Sequence, residues 1–143
     1  MNVQRVASRT SASALTVLAG LHVAWGLGST WPLPDRETFS DLVVGGAGFP
    51  PPAASFAVAG ALGTAAVLVA GRPHKHPALS RLGTAGTAAV LGARAAAGLA
   101  GRTDLLSPGS SSPRFRRLDR IAYAPLCLAL AASTALAATA RGR

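Results

Sequence analysis

Residues 121–140 read IAYAPLCLALAASTALAATA, twenty consecutive positions without Lys, Arg, Asp or Glu. A helix of that length rises about 30 Å, the thickness of a bilayer's hydrocarbon core. In hydrocarbon every backbone N–H and C=O needs a partner, and a helix supplies them from within the segment. The rest of the chain repeats the pattern. No charged residue occurs from Thr10 to Pro34, from Leu42 to Gly71 or from Leu82 to Ala93. Spans are therefore expected at Ala12–Trp31, Ala53–Gly71, Leu82–Gly101 and Ile121–Ala140, the third interrupted only by Arg94. The expected fold is all-α: a four-transmembrane-helix bundle, one integral membrane domain over residues 1–143, with 102–120 as a polar loop.

Composition agrees with that expectation and excludes several others. Half of the 143 residues are hydrophobic and 13% are charged, against about 25% charged in ordinary globular chains. So apolar a chain is not intrinsically disordered. Cys127 is the only cysteine, which excludes an intrachain disulfide, a Cys-x-x-Cys redox motif and a cysteine-rich zinc site. The formal charge of +9 invites a nucleic-acid reading, but 13 of the 14 cations sit in tails and loops beside the apolar runs. No nucleic-acid partner is expected. Arg5 and Arg9 resemble the basic start of a signal peptide, yet the following apolar stretch is long and offers no small-x-small cleavage site before Trp25. The first span is expected to be retained.

The charges barely decide orientation. One side of the four-span arrangement holds Arg5, Arg9, Arg72, Lys75, Arg81, Arg141 and Arg143; the other holds Arg36, Arg102, Arg114, Arg116, Arg117 and Arg120. The first helix usually dominates, and its tail is purely basic, so both termini are expected in the cytoplasm of a multi-pass cell-membrane protein. The aromatics are more one-sided. Trp25, Trp31, Phe39, Phe49, Phe56, Phe115 and Tyr123 all fall on the second face or in the adjoining half of the membrane. That face also carries eight of the ten prolines and the longer loops.

Arg94 is the most informative residue. An ionisable group inside a span points to function by default; here it either faces the bundle with a partner or snorkels to the interface along its own stem. Asp119 is the natural partner, and it equally suits the positive end of a helix macrodipole. Asp119, Tyr123 and Cys127 stand at i, i+4 and i+8, on one face of a regular helix. His22 shares a face with Trp25, Gly26 and Ser29, which would line a pocket or simply leave His22 bonded to a nearby carbonyl. His74 and His76 flank Lys75 in a basic loop far from His22, so neither a metal site nor a cofactor is expected. Gly60, Gly63, Gly83, Gly86, Gly92 and Gly98 either let helices approach closely or reflect the GC-rich codon usage that also favours Arg over Lys. Ser107–Pro113 (SPGSSSP) has the composition of a mobile linker, and the arginines at 114–120 that of a membrane-flanking run. No carboxylate lies in the central part of a span, which disfavours a proton-coupled antiporter, and no phosphate-binding loop, nucleophile elbow or zinc-protease motif occurs.

These residues carry a resemblance. His22-Val-Ala-Trp25-Gly26, then Trp31-Pro32, Arg94, and Phe115-x-x-x-Asp119-x-x-x-Tyr123-Ala124-Pro125-Leu126-Cys127 resemble a small bacterial membrane family filed as domain of unknown function 3995. The resemblance runs through nearly the whole chain and implies a four-span membrane protein with no assigned activity. The family's last motif usually reads Tyr-Ser-Pro-Leu, and Ala124 departs from it. Three functions are open. A pocket among His22, Trp25, Arg94, Asp119 and Tyr123 would bind a lipid-like or anionic small molecule, Arg94 supplying the charge. Small-residue faces would serve a structural subunit, associating with membrane lipids, another membrane protein or a copy of itself. His22, Asp119 and Tyr123 would serve an enzyme acting on a hydrophobic substrate.

Overall fold

A computed structural model describes residues 3–46, 48–71 and 76–139. Among the described residues the fold is all-helical, with no strand. Four long helices run α1 (Val3–Gly26), α3 (Pro52–Val69), α4 (Pro77–Leu99) and α6 (Ala124–Thr139). The short α2 (Arg36–Phe39) follows α1 and passes into a π-helical turn, Ser40–Val44; α5 (Pro113–Leu118) passes through a second π-helical turn, Asp119–Tyr123, into α6. α1 packs chiefly on α3 and α4 on α6, while α1–α6 and α3–α4 contacts close the ring. Arg72, His74, Lys75, Ala140, Arg141 and Arg143, used above for sidedness, the basic loop and the fourth span, lie outside the described residues.

Backbone chemistry, not charge, sets the helix ends. Pro52, Pro77 and Pro113 each open a helix, where a missing N–H costs nothing and φ is already helical. α1 closes with Gly28 at φ +95°, its N–H bonded to Trp25 O at 2.9 Å and that of Ser29 to Ala24 O at 3.0 Å. α4 closes the same way around Gly101, through Gly101 to Gly98 and Arg102 to Ala97. A left-handed residue in this Schellman arrangement satisfies the last carbonyls and turns the chain away. The first helix therefore stops at Gly26 and not at Trp31, although the uncharged run continues to Pro34. It also begins well before residue 12, carrying Arg5 and Arg9 on its first turns.

The 102–120 segment is a loop only as far as Ser112. The Ser107–Pro113 stretch is pinned, contrary to its linker-like composition. Ser111 and Ser112 both donate backbone N–H bonds to Gly45 O, at 3.0 and 2.9 Å. The Ser112 hydroxyl donates to Asp41, and Ser110 and Ser112 are buried. Gly45 takes φ +97°, and a Cβ there would sit 2.6 Å from Ser110 Cβ, so the two loops meet backbone to side chain.

The helices are packed small side inward. Ser11, Thr84, Thr134 and Asp119 are fully buried, whereas Leu82, Val90 and Ile121 are 73%, 70% and 65% exposed. Ser11 and Ser133 hydroxyls lie 2.6 Å apart across α1 and α6, and Ser8 and Ser80 donate to Val69 O and Leu68 O. Two helices among the described residues are long and apolar enough to cross a membrane: Pro52–Val69, and the continuous helix Pro113–Thr139. α1 and α4 do not reach that apolarity, since Ser, Thr, Gly and Arg dilute their Leu and Val. Four apolar crossings were expected, and helix length with composition supplies two.

Candidate functional site

Asp119 is the centre of the site. It sits in the π-helical turn and is fully buried. Arg94, one turn before the end of α4, places Nη2 at 2.6 Å from Asp119 Oδ1 and Nη1 at 3.3 Å from Oδ2. The Thr103 hydroxyl also donates to Oδ2. A carboxylate removed from water is held here by a two-pronged guanidinium and a hydroxyl, the arrangement that makes a buried charge tolerable. Arg94 thus faces the bundle and does not snorkel.

The π-helical turn decides which residues share Asp119's face. One extra residue is taken up in the turn, and Ala124 N–H bonds back to Asp119 O. Ala124, five positions on, follows Asp119 against α4, where a Cβ on Gly98 would lie 2.7 Å from Ala124 Cβ and 2.8 Å from Asp119 Oδ2. The expected stripe of Asp119, Tyr123 and Cys127 is broken. Tyr123 turns elsewhere and donates its hydroxyl to Leu42 O at 3.2 Å, tying α6 to the first π-helical turn. Ala124 is fully buried at this contact, so the hydroxyl-free side chain at that position packs against Gly98.

A cavity of about 350 Å³ opens beside the ion pair. Arg94 and Thr103 line it from the Asp119 side, and His22 and Trp25 from α1. Phe39, Phe115 and Ser55 complete its deeper wall, with Val58 and Leu106 at exposed positions of its lining. The aromatic rings form a run: His22 to Trp25 at 4.7 Å, Trp25 to Phe39 at 5.1 Å and Phe39 to Phe49 at 5.1 Å between centroids, with Arg36 stacked over Phe49 at 4.7 Å. His22 Nδ1 lies 2.8 Å from Leu18 O and Trp25 Nε1 donates to Trp31 O at 2.8 Å. Of the five expected site residues, the fold brings His22, Trp25 and Arg94 to one cavity. Asp119 stands one bond behind Arg94. Tyr123 is not in the lining; it lies behind Phe115, their rings 6.1 Å apart.

Sequence reasoning missed Thr103 and Ser55, and it read Gly98 only as a place where helices approach closely, not as the position on which the ion pair converges. Gly98 had a readable signal, standing four positions after Arg94 and so one turn above it on α4. Thr103 had none: it reaches Asp119 only because the Gly101 turn folds it back. Among the described residues no three His, Cys, Asp or Glu side chains gather to hold a metal.

A family model described as "Protein of unknown function (DUF3995)" matches residues 15–134. The chain belongs to that family. In this DUF3995 chain the match takes in His22, Trp25, Arg94, Asp119 and Tyr123, and the family's name assigns them no activity. Neither a curated protein nor a solved structure matches the chain.

Proposed function

We propose that this DUF3995 chain is a multi-pass membrane protein that holds a small lipid-like molecule in the cavity between His22, Trp25 and Arg94. The carrying observation is the cavity itself: aromatic and aliphatic walls around one arginine and one histidine, with exposed apolar residues at Val58 and Leu106 in its lining. Pockets of this kind are mostly apolar with a few converging polar groups. Membrane embedding of all four long helices is supported by their packing, with Ser, Thr, Ala and Gly at most buried positions, Leu15, Val69 and Leu130 the larger exceptions, and many Leu, Val and Ile outside. In water such an exterior would be a large unsatisfied apolar surface. In lipid it is the solvated face, and small interior residues let helices approach closely. The starts of α1 and α4 then share one side, assigned to the cytoplasm by the basic N-terminal tail.

The test is thermal unfolding of the purified protein with and without lipids extracted from its own membranes. Wild type should gain stability from the extract, and Ala54→Trp, which introduces a bulky ring into the cavity lining, should lose that gain while unfolding at the same temperature without extract. An equal gain in both proteins would rule the cavity out as the binding place.

A second reading has its own observation. A Cβ on Gly60, Gly63, Gly86 or Gly92 would meet no described atom within 4 Å. These four glycines thus leave small faces with open space beside them, which fit lateral association with another membrane helix. Crosslinking in native membranes tests it, and an absence of adducts to any protein counts against it.

A further inference from the structure

The cavity's fixed charge is the feature that decides what it takes. Arg94 is the charged residue in its lining, and Asp119, directly behind it, answers it through two bonds. No other Lys, Arg, Asp or Glu lines it among the described residues. An anion entering this space would meet a guanidinium already neutralised and a carboxylate directly behind it. Its lost hydration would go uncompensated, and the same holds for a cation.

The uncharged polar groups are complementary in another way. The bonds to Asp119 occupy two of Arg94's five N–H donors, leaving donors for a ligand oxygen. His22 Nδ1 faces the Leu18 carbonyl, which only accepts, so Nδ1 carries a proton and, in the uncharged tautomer, Nε2 is a bare acceptor. Nε2 has no partner among the described residues. Thr103 commits its O–H to Asp119 and offers a ligand only lone pairs. The Ser55 hydroxyl, on a residue 3% exposed, has no bond among the described residues and both donates and accepts. Arg94 therefore donates from one side, where Thr103 also accepts, and His22 accepts from α1, with rings between them.

We propose that the ligand is a neutral molecule bearing a carbonyl or ether oxygen for Arg94 and a hydroxyl for His22 Nε2 on a compact apolar body. A cavity of about 350 Å³ is at the small end of ligand sites, so the body is one ring or a short chain. This deepens the binding role proposed above and rests on it. The same chemistry is found in a hydroxylated aromatic ester and in the head of a monoacylglycerol.

The experiment is titration of the Trp31→Phe protein in phosphatidylcholine nanodiscs, where Trp25 is the sole remaining tryptophan and lines the cavity. The probes are two matched pairs, methyl 4-hydroxybenzoate with 4-hydroxybenzoate, and monolaurin with laurate. Saturable change in Trp25 emission is expected with a neutral member, with its anion about tenfold weaker or worse, the scale of one lost charge-assisted bond. Methyl 4-methoxybenzoate, which cannot donate, should bind about tenfold more weakly than its hydroxyl parent, and His22→Phe should remove that difference. Whichever neutral probe saturates identifies the aromatic or the lipid source. Tighter binding of either anion overturns the neutral-ligand inference and leaves the binding role standing. No saturable response to any of the four overturns both.

Discussion

Gly98 shows how much of this structure hangs on a missing atom. Arg94, Asp119 and Ala124 converge on it, and a Cβ would lie 2.9, 2.8 and 2.7 Å from them. Asp119 and Ala124 have no room to retreat, because both are fully buried. Gly98→Ala is expected to destabilise the protein by about 1–3 kcal/mol through overpacking. Gly60→Ala, with open space around it, should be neutral or stabilise by up to about 1 kcal/mol, through helix propensity. Denaturant unfolding in one detergent checks both, and equal effects would remove Gly98 from the site. At this scale the sequence pointed to the right ion pair and could not choose between pairing and snorkelling for Arg94. That choice depends on where α5 and α6 lie, which no local pattern contains.

The π-helical turn at Asp119–Tyr123 is the element that aims the site. It takes up one residue, so Asp119 and Ala124 both meet α4 while Tyr123 reaches Leu42. Such turns are frequent at functional sites. Inserting one alanine after Ile121, whose side chain is exposed, would add a second residue where the turn has already absorbed one and turn Asp119 away from Arg94 by about 100°. The expected cost is that of breaking a buried pair, about 3–5 kcal/mol. An insertion variant that unfolds like wild type would show that the turn does not position the pair. The spacing i, i+4, i+8 is a valid rule for an α-helix, and it failed here because the period itself changes.

The α2 turn carries a pH prediction. The Thr38 backbone N–H, and then its hydroxyl, bond to the exposed Asp35 carboxylate and hold it below its ordinary value of 3.8. Asp35 therefore stabilises the N-terminus of α2 above the unfolded value, and that contribution fades as pH falls through the lower folded value. Hydrogen exchange at the Thr38 amide should quicken in that acid range relative to neighbouring amides after correction for intrinsic rates. Asp35→Asn should abolish the extra acid dependence; its persistence would place the titrating group elsewhere.

On the scale of the whole molecule, the arrangement of helices makes a prediction about sides. Arg5 lies at the start of α1, whereas Glu37 and Asp104 lie in the segments beyond the ends of α1 and α4. With Cys127→Ala as background, cysteines at Glu37 and Asp104 should react with a membrane-impermeant thiol reagent in intact cells, and a cysteine at Arg5 only after lysis. The reverse pattern would invert the orientation, and labelling of Arg5 and Glu37 from the same side would refute the first crossing.

By itself the sequence determined the helical class, the apolar character of 121–140 and the residues worth watching. Those properties are local: an uncharged run, a proline that opens a helix, a glycine that closes one. Even there charge misplaced the ends, because solubility and backbone capping are different constraints. Only the tertiary structure decided that Arg94 is answered by Asp119, that Thr103 joins them and that Tyr123 does not. It also decided that, of the six glycines singled out in α3 and α4, Gly83 and Gly98 pack against neighbours while the other four have open space beside them. These outcomes depend on the relative rotation and height of α1, α3, α4 and α6, set jointly by turns and packing. The arginine was legible at position 94; the carboxylate and hydroxyl that hold it in place belong to the fold.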